Sequence, residues 1–197
     1  LQDREGHIWF GTGDGVSRYD GQSFATLIAA DGLAGKPVGS ICQDREGSLW
    51  FGTEGGIIRY DGRTWTTVLG RDTLDDSMVW SIHQDRSGCI WFGTGLTDRR
   101  GGSGVYQYDP SAGSTQNAWT AFTAADGLAS DMVHSVFEDS DGYLWFGGGK
   151  ELSRYDPSAG PGESAWFDLT EEDGLAHPIV WSVCQDREGH IWLGTLG

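Results

Sequence analysis

The chain has 197 residues and a formal net charge of −16, from 29 acidic and 13 basic side chains. A charge of this sign repels phosphate backbones and anionic lipid headgroups, so nucleic acids and membrane surfaces are not expected partners. Glycine reaches 32 residues while proline stays at 5, and there are ten tryptophans. This composition favours a folded chain with many tight turns over a disordered one.

Targeting, metal and redox signals are absent from the sequence. No apolar run approaches the roughly 20 residues of a spanning helix, and no signal peptide precedes Leu1, which lies in mid-motif. We therefore expect an excerpt of a longer chain. Cys42, Cys89 and Cys184 show no CxxC spacing, so we predict neither a metal site nor a cofactor.

One phrase recurs along the whole chain. It begins as Trp9-Phe10-Gly11-Thr12 and returns at Trp50, Trp91, Trp145 and Trp192, at spacings of 41, 41, 54 and 47 residues. Within each copy, short segments rich in β-formers alternate with Asp/Gly turns, which is typical of strands joined by tight turns. Four strands repeated at 40-odd residues predict the blades of an all-β propeller.

The predicted elements follow the repeat in chain order. We expect one propeller region over residues 1–197, made of the segments 1–27 (partial blade), 38–68 (blade), 79–122 (blade), 133–169 (blade) and 180–197 (partial blade). Closing these into a four-bladed ring would make strand 190–195 duplicate residues 7–12. We therefore predict an arc of a larger ring.

The second strand of each blade is predicted to be buried on both faces. Leu49, Trp50 and Phe51 are apolar in succession, whereas a one-sided sheet would alternate with polar residues. Each such tryptophan is expected to be a scaffold residue between neighbouring blades, and its replacement by alanine should cost about 3–5 kcal/mol.

Several phrases resemble the two-component regulator propeller repeat. They are Gln43-Asp44-Arg45-Glu46-Gly47-Ser48-Leu49-Trp50-Phe51-Gly52-Thr53, Ser17-Arg18-Tyr19-Asp20-Gly21 and Asp173-Gly174-Leu175. The resemblance implies a seven-bladed propeller in the periplasmic sensor region of a bacterial hybrid histidine kinase, with oligosaccharides as the ligands of some members. It implies a periplasmic or extracellular location. Thr73 departs from the usual glycine, and no kinase segment is present.

The sequence carries only weak patterns of catalytic residues. Ser40, Ser81, Ser135 and Ser182 recur in register, so they are interpreted as a hydrogen-bonded element of the blade and not as nucleophiles. His7 and His190 are equivalent turn residues with no second metal ligand at a diagnostic spacing. We predict no catalytic residue and no enzyme activity in this segment.

A ligand site is instead expected where the copies differ. Trp80, His134 and Trp181 occupy the position that Gly39 holds in another copy, at the start of the innermost strand. An exposed indole there would stack on a sugar ring, and His134 would bond its hydroxyls. The alternative is that both tryptophans only fill space around the axial channel.

A seven-residue insertion, around Thr97-Asp98-Arg99-Arg100-Gly101-Gly102, is predicted on the same face. Arg99 and Arg100 form the only basic doublet of the chain and would clamp a carboxylate or sulfate of the ligand. The alternative is a solvated loop.

The sequence thus favours a sensor module that binds a small molecule or oligosaccharide, with neighbouring blades or domains of a longer chain as its other partners. Two alternatives stay open. One is a propeller enzyme, such as a lyase resembling the streptogramin-inactivating family, for which only His134 and His177 stand near the right face. The other is a protein-interaction scaffold.

Overall fold

The computed structural model describes residues 1–27, 36–96, 101–112, 117–159 and 164–196. Over these residues the strands form five antiparallel sheets. The fold class predicted from the repeat, all-β with four-stranded blades, is confirmed. No helix of the described residues is long and apolar enough to cross a membrane.

Each sheet follows the chain order of its strands. The first sheet contains β1 (Ile8–Thr12), β2 (Gly15–Tyr19) and β3 (Phe24–Leu27). The second contains β4 (Val38–Gln43), β5 (Leu49–Thr53), β6 (Gly56–Tyr60) and β7 (Trp65–Leu69). A one-turn helix, α1 (Arg71–Leu74), leads out of β7.

The remaining sheets repeat this plan. The third contains β8 (Met78–Gln84), β9 (Ile90–Gly95), β10 (Val105–Tyr108) and β11 (Trp119–Phe122). The fourth contains β12 (Val133–Glu138), β13 (Leu144–Gly148), β14 (Leu152–Tyr155) and β15 (Trp166–Leu169). The fifth contains β16 (Val180–Gln185) and β17 (Ile191–Thr195). The chain divides into two compact units, Leu1–Ile82 and His83–Gly197.

Within each unit, one sheet packs on the next through the second strands. In the first unit Trp9 meets Phe51 edge to face, with ring centroids 5.6 Å apart. In the second unit Trp91 meets Phe146 at 5.7 Å. Trp50 and Trp91 are 1% and 0% exposed, so their predicted scaffold role is confirmed. Trp192, on the two-stranded fifth sheet, is 61% exposed, so burial of this position depends on a neighbouring sheet.

Every one of these tryptophans is tied to the aspartate six residues before it. The indole Nε1–H donates to the carboxylate at 2.7 Å from Trp9, Trp50, Trp91 and Trp145 and at 2.8 Å from Trp192. The other carboxylate oxygen accepts the backbone N–H four residues on, such as that of Ser48 for Asp44, at 2.7 Å. A glycine with φ near +90°, such as Gly47, completes the turn, because the left-handed region favours glycine.

A second hydrogen-bond pattern joins each turn to the next sheet. In the first unit Arg4 donates its backbone N–H to Gln43 Oε1 at 2.9 Å, and its guanidinium donates to the Arg45 carbonyl at 2.8 Å. In the second unit the backbone N–H of Ser140 donates to Gln185 Oε1 at 2.8 Å. In both cases the residue that follows the turn aspartate of one sheet donates to the residue that precedes the turn aspartate of the next sheet. We call this contact the blade latch.

The departure at Thr73 has a visible consequence. In the equivalent loops Gly127 and Gly174 end a 3₁₀ turn in the left-handed region, with φ of 108° and 101°. Thr73 instead stays in the helical turn α1, and the left-handed conformation moves to Asp75, with φ of 43°. The left-handed residue therefore lies two positions later in the loop before β8 than in the loops before β12 and β16.

The Asp–Trp pair is expected to be a main source of stability. Asp44→Ala should lower the free energy of unfolding by about 3 kcal/mol, because it leaves the buried indole N–H of Trp50 and the Ser48 N–H without an acceptor. Urea unfolding followed by tryptophan fluorescence measures the change. The matched control is Asp186→Ala, where Trp192 is exposed and water replaces the carboxylate, so a much smaller loss is expected. Equal losses in the two variants would contradict this account.

The turn between the third and fourth strands is predicted to make stability depend on pH. Asp61 accepts the Thr64 N–H at 2.7 Å, the Thr64 hydroxyl at 2.8 Å and the Arg63 N–H at 2.8 Å. These bonds hold the pKa of the Asp61 carboxyl at about 2, below its usual value. The stabilisation is therefore complete above the unfolded pKa of about 3.9 and is lost as the pH falls through about 2.

Asp61→Asn keeps a side-chain oxygen in the turn and removes the titration. Its melting temperature should fall less than that of the parent between pH 5 and pH 2. Parallel curves for the two proteins would show that this carboxylate does not titrate below its ordinary pKa.

Candidate functional site

The position at which the copies differ is a β-bulge. In the pairs β4–β5, β12–β13 and β16–β17 the register shifts between the first and third residues of the innermost strand, at Gly39, His134 and Trp181. A bulged residue is left out of the ladder and its side chain is re-aimed. This position can therefore change from glycine to histidine or tryptophan without disturbing the pairing of the blade.

In the second unit the structure brings two of the predicted site residues together. The His134 imidazole stacks on the Trp181 indole, with centroids 4.1 Å apart and planes 21° apart. His134 is 8% exposed and Trp181 is 36% exposed. The histidine thus covers part of the indole, and the rest faces solvent at the start of β16.

The other predicted residues are placed differently. Trp80 lies in β8, belongs to the first unit and is half-buried. Arg99 and Arg100 lie outside the described residues, so the predicted basic clamp stays a prediction.

A cavity of about 270 Å³ opens in the second unit, on the face predicted from the loops. Its walls come from the loops that precede β10, β12 and β14. The lining residues are Gly101, Ala124, Ala129, Ser130, Asp131, Met132, Gly149 and Lys150. Because Met132 directly precedes β12, the cavity and His134 lie two residues apart along the chain. Of these residues, the sequence analysis named only Gly101, as part of the insertion.

Next to one wall of the cavity, a glycine replaces a threonine of the repeat. Near the ends of the second strands of two sheets, Thr53 and Thr94 donate a hydroxyl to the carbonyls of Gly56 and Gly104, at 2.9 and 2.8 Å. Gly148 stands at this position in the fourth sheet, where a Cβ atom would clash with the Met132 carbonyl oxygen. The same carbonyl accepts the Gly149 N–H at 3.0 Å, so Gly149 and Lys150 form one wall. Comparing the repeats at this threonine would have shown the difference.

The polar groups of the cavity are held in place by local bonds. Asp131 accepts the Ala124 N–H at 2.7 Å, and Ser130 Oγ accepts the Met132 N–H at 3.2 Å. A capping box between Thr123 and Asp126 fixes the wall that carries Ala124. Hydrogen bonds from the Thr123 backbone and hydroxyl lower the pKa of the Asp126 carboxyl, so this box is intact at neutral pH.

Fixed carboxylate and hydroxyl groups next to an exposed ammonium suit a ligand with several hydroxyl groups. Asp131 and Ser130 supply oxygen acceptors, while Lys150 supplies a donor on an exposed side chain. Ala124, Ala129 and Met132 supply apolar surface between them. Sites for small molecules commonly combine an apolar lining with a few placed polar groups.

The recurring serines are structural where their partners are described. Ser40 Oγ donates to the Val79 carbonyl at 2.9 Å, and Ser135 Oγ accepts the Val183 N–H at 3.1 Å. These bonds join one innermost strand to the next within a unit. The prediction that these hydroxyls satisfy backbone groups is confirmed for Ser40 and Ser135.

The two turn histidines have closer carboxylates than the sequence reasoning recognised. His7 Nδ1 lies 3.1 Å from Asp3 Oδ2 and 3.6 Å from Glu5 Oε2, and His190 repeats this with Asp186 and Glu188. The expectation that no metal is bound there stays a prediction. Asp3 Oδ2 also accepts the Trp9 indole N–H, so the same oxygen serves the scaffold. Burial raises the pKa of the Asp3 carboxyl, but the bonds from Trp9 and His7 outweigh it and keep that pKa below its usual value.

Each of the two histidines considered for an enzyme site makes its own contact in the structure. His134 stacks on Trp181, and His177 Nδ1 accepts the Ile179 N–H at 3.0 Å.

The four-stranded antiparallel blades, with varied loops beside the start of each innermost strand, define a β-propeller module. The two component regulator propeller family matches the chain four times, over residues 32–55, 73–95, 127–150 and 174–197, and the chain belongs to this family. No curated protein sequence matches the chain significantly.

Solved structures share the fold. The chain is similar to the extracellular domain of BT3049 of B. thetaiotaomicron, a proposed hybrid two component system, with 26% identity and a TM-score of 0.76 over 98% of this chain and 25% of that one. The extracellular domain of BT4673 from the same organism, a proposed one component system, gives 22% identity and a TM-score of 0.77 over 99% of this chain and 25% of that one.

PorZ of Porphyromonas gingivalis, a surface component of the type-IX secretion system, gives 21% identity and a TM-score of 0.70, over 100% of this chain and 30% of that one. The chain thus spans about a quarter to a third of these three proteins. This agrees with the predicted arc of a larger propeller.

The cavity wall is expected to require glycine at position 148. Gly148→Ala should destabilise the protein by about 2 kcal/mol, because the new methyl group would meet a backbone carbonyl that cannot rotate away. Gly13→Ala is the matched control, since no atom lies within 4 Å of a Cβ built there. Thermal unfolding of both variants makes the comparison, and an unchanged melting temperature for Gly148→Ala would show that the wall can yield.

Proposed function

We propose that this chain is a non-enzymatic recognition module that binds a carbohydrate-like ligand. The observation that carries the proposal is the Trp181–His134 stack close along the chain to the cavity of about 270 Å³. An indole offers a flat apolar face to the C–H groups of a sugar ring, while the polar groups of the cavity match hydroxyls.

The net charge of the chain restricts the classes of ligand that the module is expected to bind. At a formal net charge of −16, a polyanion would be repelled from most of the surface. Lys150 and Asp131 line the cavity with one cationic and one anionic side chain. A neutral sugar, or one with a single acidic group, fits this balance, and nucleic acids and anionic membranes do not.

The family supports a role in signalling. We infer that the module is part of the extracytoplasmic input region of a two-component signalling protein, located in the periplasm or outside the cell. The support is the family itself and the extracellular domains among the similar structures. A rigid set of blades would hold the loops in place for the ligand. Other parts of the signalling protein would respond to ligand binding at these loops.

A propeller enzyme is the second candidate. A gluconolactonase of Xanthomonas campestris shares the fold at 13% identity, with a TM-score of 0.63 over 98% of this chain and 67% of that one. A catalytic role would require His134 or His177 to act on a bound substrate, and the contacts of both side chains favour positioning over proton transfer.

Binding should depend on the exposed indole. In a calorimetric screen of neutral and singly acidic oligosaccharides, Trp181→Ala should weaken the binding of a ligand found with the parent by at least about tenfold, roughly 1.4 kcal/mol. Phe167→Ala is the control, because this residue is an aromatic of the same unit that is 51% exposed on β15.

Three further results would bear on the proposal. Equal affinities for Trp181→Ala and the parent would refute the site. Trp80→Ala and a double Arg99/Arg100 substitution to glutamine test whether the other predicted residues take part. Conversion of the ligand, seen by mass spectrometry after incubation with the parent, would favour the enzyme.

A further inference from the structure

A buried pair of hydrogen bonds lies behind one wall of the cavity. The Ala129 backbone N–H donates to Ser153 Oγ at 2.9 Å, and the Ser153 hydroxyl donates to Asp168 Oδ1 at 2.7 Å. Ser153 is 1% exposed, and Asp168 is half-buried on the outermost strand β15. Ala129 lines the cavity, whereas Ser153 and Asp168 are not among its described lining residues. The two bonds thus connect the outermost strand to the cavity wall through the backbone of Ala129.

The loop of residues 123–132 carries this wall. It begins with the capping box at Thr123 and leads into β12. In the middle of the loop, the Ala129 N–H binds a side chain of a different strand, Ser153 of β14. Ser130, which also lines the cavity, follows directly. Because the peptide unit between Ala129 and Ser130 is planar, the position of Ala129 constrains that of Ser130.

The first three sheets do not place a carboxylate at this position. In the β14–β15 pair, Ser153 lies opposite Asp168. In the other sheets the same two places hold apolar, aromatic or hydroxyl side chains, namely Ser17 and Thr26, Ile58 and Thr67, and Tyr106 and Ala121. The blade therefore does not need the Ser153–Asp168 pair in order to form. The pair occurs in the sheet that directly follows the cavity loop.

The carboxylate determines how the serine hydroxyl is oriented. A hydroxyl group has one donor and two acceptor positions, and its hydrogen rotates to suit its partners. When Asp168 accepts that hydrogen, the lone pairs of Ser153 Oγ stay free for the Ala129 N–H. Successive hydrogen bonds of this kind also strengthen one another, and a bond to a carboxylate is stronger than one between neutral groups.

We propose that Asp168 is a positioning residue of the cavity. It orients the Ser153 hydroxyl and thereby holds Ala129 and Ser130 where they line the site. The inference rests on the proposed function, since it assigns Asp168 a part in ligand binding that it performs without touching the ligand. A ligand that contacts this wall binds more weakly when the acceptor at position 168 is lost.

Amide hydrogen exchange followed by NMR tests the wall without a ligand. Asp168→Ala should speed exchange of the Ala129 N–H at least about tenfold, because the hydroxyl that accepts it is no longer fixed. Ser153→Ala removes the acceptor itself and should have at least the same effect. The amides of the buried strand β13 should change much less, whereas a merely structural role would speed exchange in both places alike.

Asp168→Asn separates the hydrogen bond from the charge. It loses the same charge as Asp168→Ala but keeps a side-chain oxygen, so exchange at Ala129 should stay within about threefold of the parent. Thr67→Ala is the matched control, because Thr67 holds the equivalent place on the second sheet, opposite Ile58. It should leave exchange at Ala129 unchanged.

The same variants are then compared in the calorimetric screen of oligosaccharides. For an oligosaccharide that binds the parent, Asp168→Ala should weaken binding by about fivefold or more, and Asp168→Asn should bind like the parent. If no oligosaccharide binds the parent, the proposed function fails, and exchange at Ala129 still decides whether Asp168 positions the wall.

Unchanged exchange at Ala129 in Asp168→Ala would overturn the proposal, whatever the oligosaccharide screen gives. Faster exchange with an unchanged affinity would also overturn it, because the wall would then have no part in binding. If Asp168→Asn behaves like Asp168→Ala, the hydrogen bond to Ser153 is not the cause.

Discussion

The hydrogen bond between each turn aspartate and the indole six residues later is the interaction on which the rest of the structure depends. It fixes the hairpin of the first two strands and the direction of the tryptophan at once, because one carboxylate binds both the turn backbone and the indole N–H. A buried indole without this acceptor would leave its N–H unsatisfied. With it, the ring presents an apolar surface to the phenylalanine of the next sheet. In each repeat the hydrogen bonds of the aspartate therefore orient the tryptophan, and the packing between sheets depends on that orientation.

This arrangement explains which positions of the repeat are free to vary. The aspartate of each Asp–Trp pair binds both the turn backbone and the indole, so a change there breaks several contacts. The bulged position of the innermost strand is outside the hydrogen-bond ladder of the sheet. The loop after the second strand contacts its surroundings through backbone atoms. Differences among copies collect at these places, such as Trp181 in a bulge and Gly148 at a loop. A ligand site can be built there without altering the framework.

The sequence predicted the framework because every landmark recurs at a constant interval. Trp50 and Trp91 were predicted as buried, and the shared face of the varied loops followed from strand order. The Asp–Trp hydrogen bond could have been predicted from the constant spacing of six residues, but it was not predicted. The replacement of the repeat threonine by Gly148 is visible in the sequence, but the approach of the Met132 carbonyl to Gly148 is not, so the cavity was not predicted. The same holds for the His134–Trp181 stack, which joins two repeats 47 residues apart.

The junctions inside each unit show why the repeat has a direction. A blade in this fold has two different faces, one led by a tryptophan and one by a phenylalanine, and the tryptophan of one sheet packs on the phenylalanine of the next, as Trp9 does on Phe51 and Trp91 on Phe146. The polar latch runs in the same direction, because the residue after the aspartate of one sheet donates to the residue before the aspartate of the next. Both contacts are lost if two neighbouring sheets exchange places, so within a unit the blades can follow one another in only one order.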